Sequence, residues 1–473
     1  MSTPAVPGRS SGSGTATTPA PDVIMIIADQ WRGQDQGWIG NEEVMTPRLD
    51  ELAADGVSVV HAVANHPVCG PSRADLLTGC WPHQHRVITN DLPLPEDIPT
   101  VGDAMAAAGY RTGWIGKWHL DPLPRDRAVP NGRCGFETFS AVNCAHRYLD
   151  SHYYTGDGQR VDFTGYEPEV QTDQALEFLD RADDRPAFLV ISYGPPHDPY
   201  DQVPAEHLER YRPGQLTLRG NTADTDTQRL RQARYYAAIT ALDQQIGRIV
   251  DHRRVSGKLQ NTVIVVLSDH GDMLGAHGRR AKQVPFAEAV RVPMVWHWPA
   301  GLEPRRIDDG FFGIVDVAPT LLELVGAEPL PSGYGRSMAA ALRAGTALRE
   351  QALLANPVSF DEGWRQGVPE WYGFVGRRCT YARSTAGPWL LFDDHDDPWQ
   401  QHNLIEERPG LLTEANATLD RLLAESGDPA VDGASALRRL DLVDRWNERE
   451  RALHGTSARL LTDTSLTKLT ETE

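Results

Sequence analysis

Apolar positions fall into two alternating patterns along most of this chain. Val23 to Ala28 is a continuous apolar run of strand length, and Ala187 to Tyr193 and Thr262 to Leu267 repeat it. Runs of this kind suit strands covered on both faces, as in a mostly parallel sheet. Between them the apolar spacing turns helical. Thr46-Pro47 reads as an N-cap with a first-turn proline, opening a helix through Leu49, Leu52 and Ala53 that stops at Gly56. A strand over Val57 to Ala62 follows. Leu176 and Leu179 mark a second helix, and Ile239, Leu242, Ile246 and Ile249 a third within Leu230 to Val250. Strands alternating with helices predict an α/β fold, a large mostly parallel sheet sandwiched by helices. Past residue 345 the alternation fades, and the aromatics and turn residues of 371–404 predict a short antiparallel sheet in a smaller α+β subdomain. The expected divisions are a disordered tail at 1–21, a catalytic domain at 22–345, a C-terminal subdomain at 346–460 and a flexible tail at 461–473. No internal repeat is evident.

Composition narrows the function. At 473 residues and 40% hydrophobic content, the chain can bury a sizeable core. Its formal charge of −19 argues against a nucleic-acid partner. No run approaches the roughly 18 apolar residues of a membrane span, and the first twenty residues lack the apolar stretch of a secretory signal. The expectation is therefore a cytoplasmic protein with no membrane contact. Cysteines at 69, 80, 134, 144 and 379 show no CxxC spacing, so reduced thiols are expected rather than disulfides or a structural zinc. Gly8 to Gly12 fits the GxSxG expression of serine hydrolases, but no strand precedes it and no apolar helix follows.

Ligands in open α/β sheets gather beyond the carboxyl ends of the strands. Asp29-Gln30 follows the first predicted strand and Asp269-His270-Gly271-Asp272 follows the strand at 262–267. Either acid alone reads as a helix cap. Taken together with Cys69-Gly70-Pro71-Ser72-Arg73, they read better as parts of one metal site. The Cys69 segment resembles the signature at which sulfatases oxidise a cysteine to formylglycine. The likeness continues in order through IIADQ, TPRLDELAADGV, CGPSRADLLTG, GYRTGWIGKWHL at 109–120, PPHDPY at 195–200, SDHGDMLGAHG at 268–278 and DPWQQHNL at 397–404. Over roughly residues 22 to 405 the chain resembles a type I sulfatase of the alkaline-phosphatase-like superfamily.

That resemblance implies roles. Cys69, as formylglycine, would be the nucleophile, and Asp29, Asp269 and His270 would ligate one divalent cation with it, Gln30 adding a carbonyl oxygen. Many sulfatases carry Asp at the position of Gln30 and Asn at that of His270. The exchange removes a carboxylate and adds an imidazole. Calcium is expected by family habit, and the imidazole brings in manganese, with magnesium also possible. Arg73 would support the hydrated aldehyde, Lys117 the sulfate and His119 a hydroxyl of the hydrate. Lys117 and His119 would share one side if that segment is extended. His197 and Lys282 would bind the ester and aid departure of the leaving oxygen, and Asn90 would reach the sulfate. A hydrated aldehyde has a second hydroxyl, so it can expel sulfate without a second attack by water.

The implied partners are a small sulfated substrate and a formylglycine-generating or anaerobic sulfatase-maturating enzyme. Phosphonate monoester or phosphodiester hydrolysis is the rival reading, since Gln30 and His270 also resemble the phosphonate-hydrolase branch. A noncatalytic binding protein is a third, should Cys69 stay unmodified. The aromatic segments Tyr148 to Tyr154 and Trp364 to Phe374 would line a substrate mouth or pack between domains. Oligomeric state is not legible.

Overall fold

A computed structural model describes residues 19–331 and 333–461, with the backbone of 466–467. The GxSxG match and most of the expected tails at 1–21 and 461–473 lie outside the described residues.

The central sheet has ten strands. They are β1 (Asp22–Asp29), β2 (Val57–Val59), β3 (Arg111–Lys117), β4 (Thr138–Val142), β5 (His152–Thr155), β6 (Arg160–Asp162), β7 (Ala187–Pro196), β8 (Thr262–Ser268), β9 (Met294–His297) and β10 (Arg305–Ile307). Their spatial order is β10-β2-β9-β8-β1-β7-β3-β4-β5-β6. The middle of the sheet, from β8 to β4, is parallel. β9 runs antiparallel to both of its neighbours, and β5 and β6 are antiparallel additions at the far edge.

Alternate residues of β1 enter two cores. Val23, Met25 and Ile27 pack on one face, and Ile24, Ile26 and Ala28 on the other. This double burial explains why the strand reads as an unbroken apolar run. The second core rests on the helix Asp226–Val255 (α4 below), where Ile239, Leu242, Ile246 and Ile249 are all buried as their spacing predicts.

The main helices are α1 (Pro47–Ala54), α2 (Cys69–Thr78), α3 (Glu167–Asp180), α4 (Asp226–Val255), α5 (Val317–Val325), α6 (Pro409–Ser426) and α7 (Val443–His454). α1 departs from its expected capping. Thr46 stands at the N-cap without capping the helix; the backbone N–H groups of Arg48 and Leu49 instead donate to Asp243 of α4, at 3.1 and 2.7 Å. A carboxylate from a packed neighbour therefore satisfies the orphan donors of the helix end. The strand expected at Val57 to Ala62 is divided by a turn into Val57–Val59 and Ala62–Val63, the second piece pairing with Phe312–Gly313.

The C-terminal sheet is antiparallel and four-stranded, in the order β11 (Gln351–Asn356), β12 (Trp371–Gly376), β13 (Thr380–Ser384) and β14 (Gly387–Phe392). It begins twenty residues earlier than the aromatic pattern suggests, because Ala352, Leu353, Leu354 and Ala355 carry no period-two signal. They are buried on both faces of the strand. No helix among the described residues is long and apolar enough to cross a membrane.

Candidate active site

Four strand ends and one helix start converge. Asp29 closes β1, Lys117 closes β3, His197 follows β7, and Asp269 and His270 follow β8, while Cys69 is the first residue of α2. Every residue of α2 is buried. The thiol thus sits where the free N–H groups of a helix favour negative charge. Burial alone pushes the Cys69 thiol up, but Lys117, Lys282 and His270 outweigh it and hold the thiol well below its ordinary value.

Asp29, Cys69, Asp269 and His270 present ligand atoms within 4.8 Å of one another, all of them buried. His270 Nδ1 lies 2.8 Å from the Gly271 carbonyl and donates to it, leaving Nε2 directed inward. Nε2 is 3.1 Å from Cys69 Sγ, 3.6 Å from Asp29 and 3.7 Å from Asp269. A backbone carbonyl fixing one ring nitrogen so that the other faces a pair of carboxylates is the arrangement of a metal-bound imidazole. The donors therefore fit a divalent cation.

Arg73, one turn into α2, spans the two acids. Its Nε donates to Asp269 at 3.1 Å, its Nη2 lies 3.5 Å from Asp29, and its Nη1 donates to Ser192 Oγ at 2.7 Å and to the Lys117 carbonyl at 3.2 Å. Lys117 Nζ donates to Asp29. These cations keep Asp29 ionised far below the usual carboxylate range despite its burial. In Asp269, burial and the neighbouring Asp29 win instead, and its carboxyl is pushed up.

Gln30 has φ of 70°, a left-handed conformation that is uncommon outside glycine. Its Nε2 donates to Asp272 at 2.9 Å, which turns Oε1 toward Lys282 Nζ, 2.7 Å away. Gln30 was expected to offer this oxygen to the cation; here it accepts from the Lys282 ammonium. Lys282 is buried. Its Nζ also lies 2.8 Å from His197 Nε2, whose ring donates from Nδ1 to the Asp198 carbonyl at 2.8 Å. Positive φ at Ala281 and Gln283 folds the loop so that Lys282 points inward.

The period-two argument for Lys117 and His119 does not hold, because β3 ends at Lys117 and His119 has φ of 58°. Both side chains nevertheless reach the site. His119 is buried with neither ring nitrogen hydrogen-bonded, and its Nε2 lies 3.6 Å from Asp91. Burial lowers its basicity, but the adjoining Cys144 and Asp91 raise its pKa to about 10. Asn90 Oδ1 accepts from the Gly70 N–H at 2.8 Å, which holds the start of α2.

A cavity of 470 Å³ opens onto this centre, with Cys69, Asn90, His119, His197 and Lys282 in its wall. The aromatic segments divide. Tyr148 is buried, and Trp364 stacks edge-on against Trp446 with ring centroids 6.0 Å apart, so both pack between elements. Phe360, outside both segments, lines the cavity. Sequence reasoning gave Asp272 no role beyond the acidic cluster after β8, and it passed over Asp91, His146 and Arg449. Asp91 and Asp272 adjoin residues that were singled out, and that proximity was the only available signal. Arg449 reaches the Asn90 carbonyl at 3.0 Å from far along the chain.

An open α/β sheet that brings paired carboxylates, an imidazole and two lysines around one activated thiol defines a hydrolytic centre for an anionic ester, with the donors for a divalent cation. Comparison with known proteins narrows the class. The Sulfatase family model matches residues 21–327, and that of the N-sulphoglucosamine sulphohydrolase C-terminal region matches residues 275–426. The Ulvan-active sulfatase of Formosa agariphila is 35% identical over 422 residues, covering 86% of this chain and 82% of that protein. The YidJ structure from Bacteroides fragilis superposes with a TM-score of 0.80 at 26% identity, covering 88% of this chain and 98% of its own. The phosphonate monoester hydrolase of Agrobacterium radiobacter, at TM-score 0.72 and 22% identity over 86% of this chain and 96% of its own, shares the fold. The chain belongs to the sulfatase family, and its reaction is the hydrolysis of sulfate esters.

Proposed function

We propose that this protein is a metal-dependent sulfatase that cleaves a sulfate monoester through formylglycine derived from Cys69. The observation that carries the reading is the single buried cluster of Cys69, Asp29, Asp269 and His270 at the mouth of α2. Calcium is the proposed ion, with manganese as the alternative that the His270 imidazole favours more than an all-oxygen site would, and magnesium as a further one. When bound, the cation neutralises the anionic ester and makes an adjacent hydroxyl more acidic. The rest is supplied by the chain. Arg73 fixes both carboxylates, and Lys117 and Lys282 bring positive charge to the sulfate. His119, in the cavity wall with Cys69 and beside Asp91, is placed to exchange a proton with the nucleophile. His197 accepts from Lys282 and stands in the cavity wall, where the pair can return a proton to the leaving oxygen. Asn90 holds the start of α2 and faces the sulfate position.

The relative active on ulvan supports a sulfated carbohydrate as the substrate class. The proposed compartment is the cytoplasm, shared with the maturating enzyme, and none of the five cysteines is paired in a disulfide. Peptide mass spectrometry of protein from its native host should find Cys69 lighter by about 18 Da, the thiol-to-aldehyde change. Cys69→Ala should fold normally and lose turnover. Appreciable sulfatase activity in a well-folded Cys69→Ala protein would sink the mechanism.

A further inference from the structure

The catalytic cavity holds two positive charges that the reaction does not use. Most charged side chains in its wall are paired: Arg125 with Asp91 through two bonds of 2.8 Å, Asp361 with Arg449 at 3.2 Å, and Glu362 with Arg365 at 3.2 Å. Arg231 and Arg280 line the same cavity, and among the described residues neither has a carboxylate within ion-pair distance. The two belong to one side of it. Arg231 Nη1 donates to Gln228 Oε1, and Gln228 lies against Gly275, where an added Cβ would fall 1.7 Å from Gln228 Nε2. Gly275 begins the loop that carries Arg280. That loop is itself held, since the Arg280 N–H donates to Gln366 Oε1 and its carbonyl accepts from Gln366 Nε2, both at 2.9 Å.

Arg231 is therefore held by one Nη and Arg280 by its backbone while neither charge is answered by a carboxylate, in a chain whose formal charge of −19 would otherwise repel an anion. We infer that Arg231 and Arg280 form a subsite for a second anionic group, a carboxylate or a further sulfate, carried on the leaving-group portion of the substrate. The guanidinium fork suits either group, and a charge-assisted bond there would orient the ester over Cys69. The inference rests on the sulfate-ester reading and narrows its substrate to esters bearing at least two negative charges.

The test compares kcat/KM on matched probes. These are a uronate-bearing disaccharide monosulfate and its carboxyl-reduced counterpart, a neutral disaccharide as monosulfate and disulfate, and 4-nitrophenyl sulfate as the reference. The wild type should prefer the doubly charged member of at least one pair by about a hundredfold, two charge-assisted bonds of about tenfold each. Arg231→Gln and Arg280→Gln should each cut that preference about tenfold, roughly one charge-assisted bond, and the double variant should abolish it. The affected pair identifies the anion as carboxylate or second sulfate. A merely structural role would lower the rates on both members together and leave the ratio unchanged, which would overturn the inference. So would a wild type that turns over 4-nitrophenyl sulfate but gains nothing from either second anion. Protein with formylglycine confirmed that hydrolyses no sulfate ester would overturn the sulfatase reading instead.

Discussion

Replacing Arg73 by lysine keeps the charge in the centre but removes the fork. The guanidinium reaches Asp269, Asp29, Ser192 Oγ and the Lys117 carbonyl at once, and it is fully buried. A lysine ammonium on a straight stem can satisfy one carboxylate. The Lys117 carbonyl keeps its bond from Trp114 Nε1 at 3.1 Å, so little is lost there. Ser192 Oγ loses its donor, at about 1 kcal/mol, and one buried carboxylate loses a charge-assisted hydrogen bond from the fork, at about 2 kcal/mol, Asp29 keeping Lys117. The total is about 3 kcal/mol. With an unfolding entropy of about 2.1 cal/mol/K per residue, a chain of 473 residues has a melting entropy near 1 kcal/mol/K, so the loss corresponds to about 3 °C. Calorimetry in chelator should show that drop, and saturating Ca2+ should shrink it, because a divalent cation compensates the same two carboxylates. Arg48→Lys is the control: that arginine pairs with Glu51 at 3.1 Å on the surface, and its exchange should cost less than about 0.5 kcal/mol. If Arg73→Lys melted within about 1 °C of the wild type in chelator, Arg73 would not be clamping the carboxylates.

Three further outcomes are expected. Asp269→Asn should weaken binding of the divalent cation by more than about 100-fold and lower kcat with it, as metal analysis and turnover on one sample will show; unchanged metal content and kinetics would remove Asp269 from the ligand set. Burial pushes the Glu167 carboxyl up to about 8, so between the ordinary glutamate range and pH 8 the native state holds a proton that the unfolded chain has released. Stability should therefore fall as pH rises through that window, by a few kcal/mol, and Glu167→Gln should flatten the slope of urea midpoints between pH 5.5 and 8. Finally, kcat/KM on an aryl sulfate should exceed that on the matching aryl phosphonate monoester by at least tenfold, and the reverse order would favour the phosphonate reading.

What the sequence disclosed depended on how local the signal was. β1 and β8 were legible because strands buried on both faces must be apolar at every position, and Asp29 and Asp269 follow them directly. β11 was missed because four small and branched apolar residues in a row fit a helix as well as a strand. Lys282 was named by resemblance alone, since its neighbours give no sign of its burial. A run of basic residues reads as a solvated face, and only the positive φ at Ala281 and Gln283 turns one member of it inward. His119 was placed in the site by resemblance, while the local geometry offered for it was wrong. Long-range partners such as Asp243 under α1 and Arg449 behind Asn90 leave no trace in nearby residues, because the group they satisfy lies hundreds of positions away.

The elements after residue 345 are joined to the candidate site by hydrogen bonds on two sides. Gln283, next to Lys282, donates from its side chain to the Phe360 carbonyl at 3.1 Å, and its own carbonyl accepts from Trp371 Nε1 of β12 at 2.8 Å. The backbone turn that aims Lys282 is therefore held from the antiparallel sheet. On the other wall, Arg449 of α7 bonds the Asn90 carbonyl and lies 3.4 Å from Asp91, the residue that faces His119. Buried groups such as these cost stability when they are left unpaired, so each side of the junction needs the other to be folded. Asp29, Lys117, His197, Asp269 and His270 sit at the strand ends of the large sheet, whereas the aim of Lys282 and the position of Asn90 are set by side chains contributed from beyond it. Variation in the subdomain can thus retune the substrate mouth without disturbing the carboxylates and imidazole beneath it.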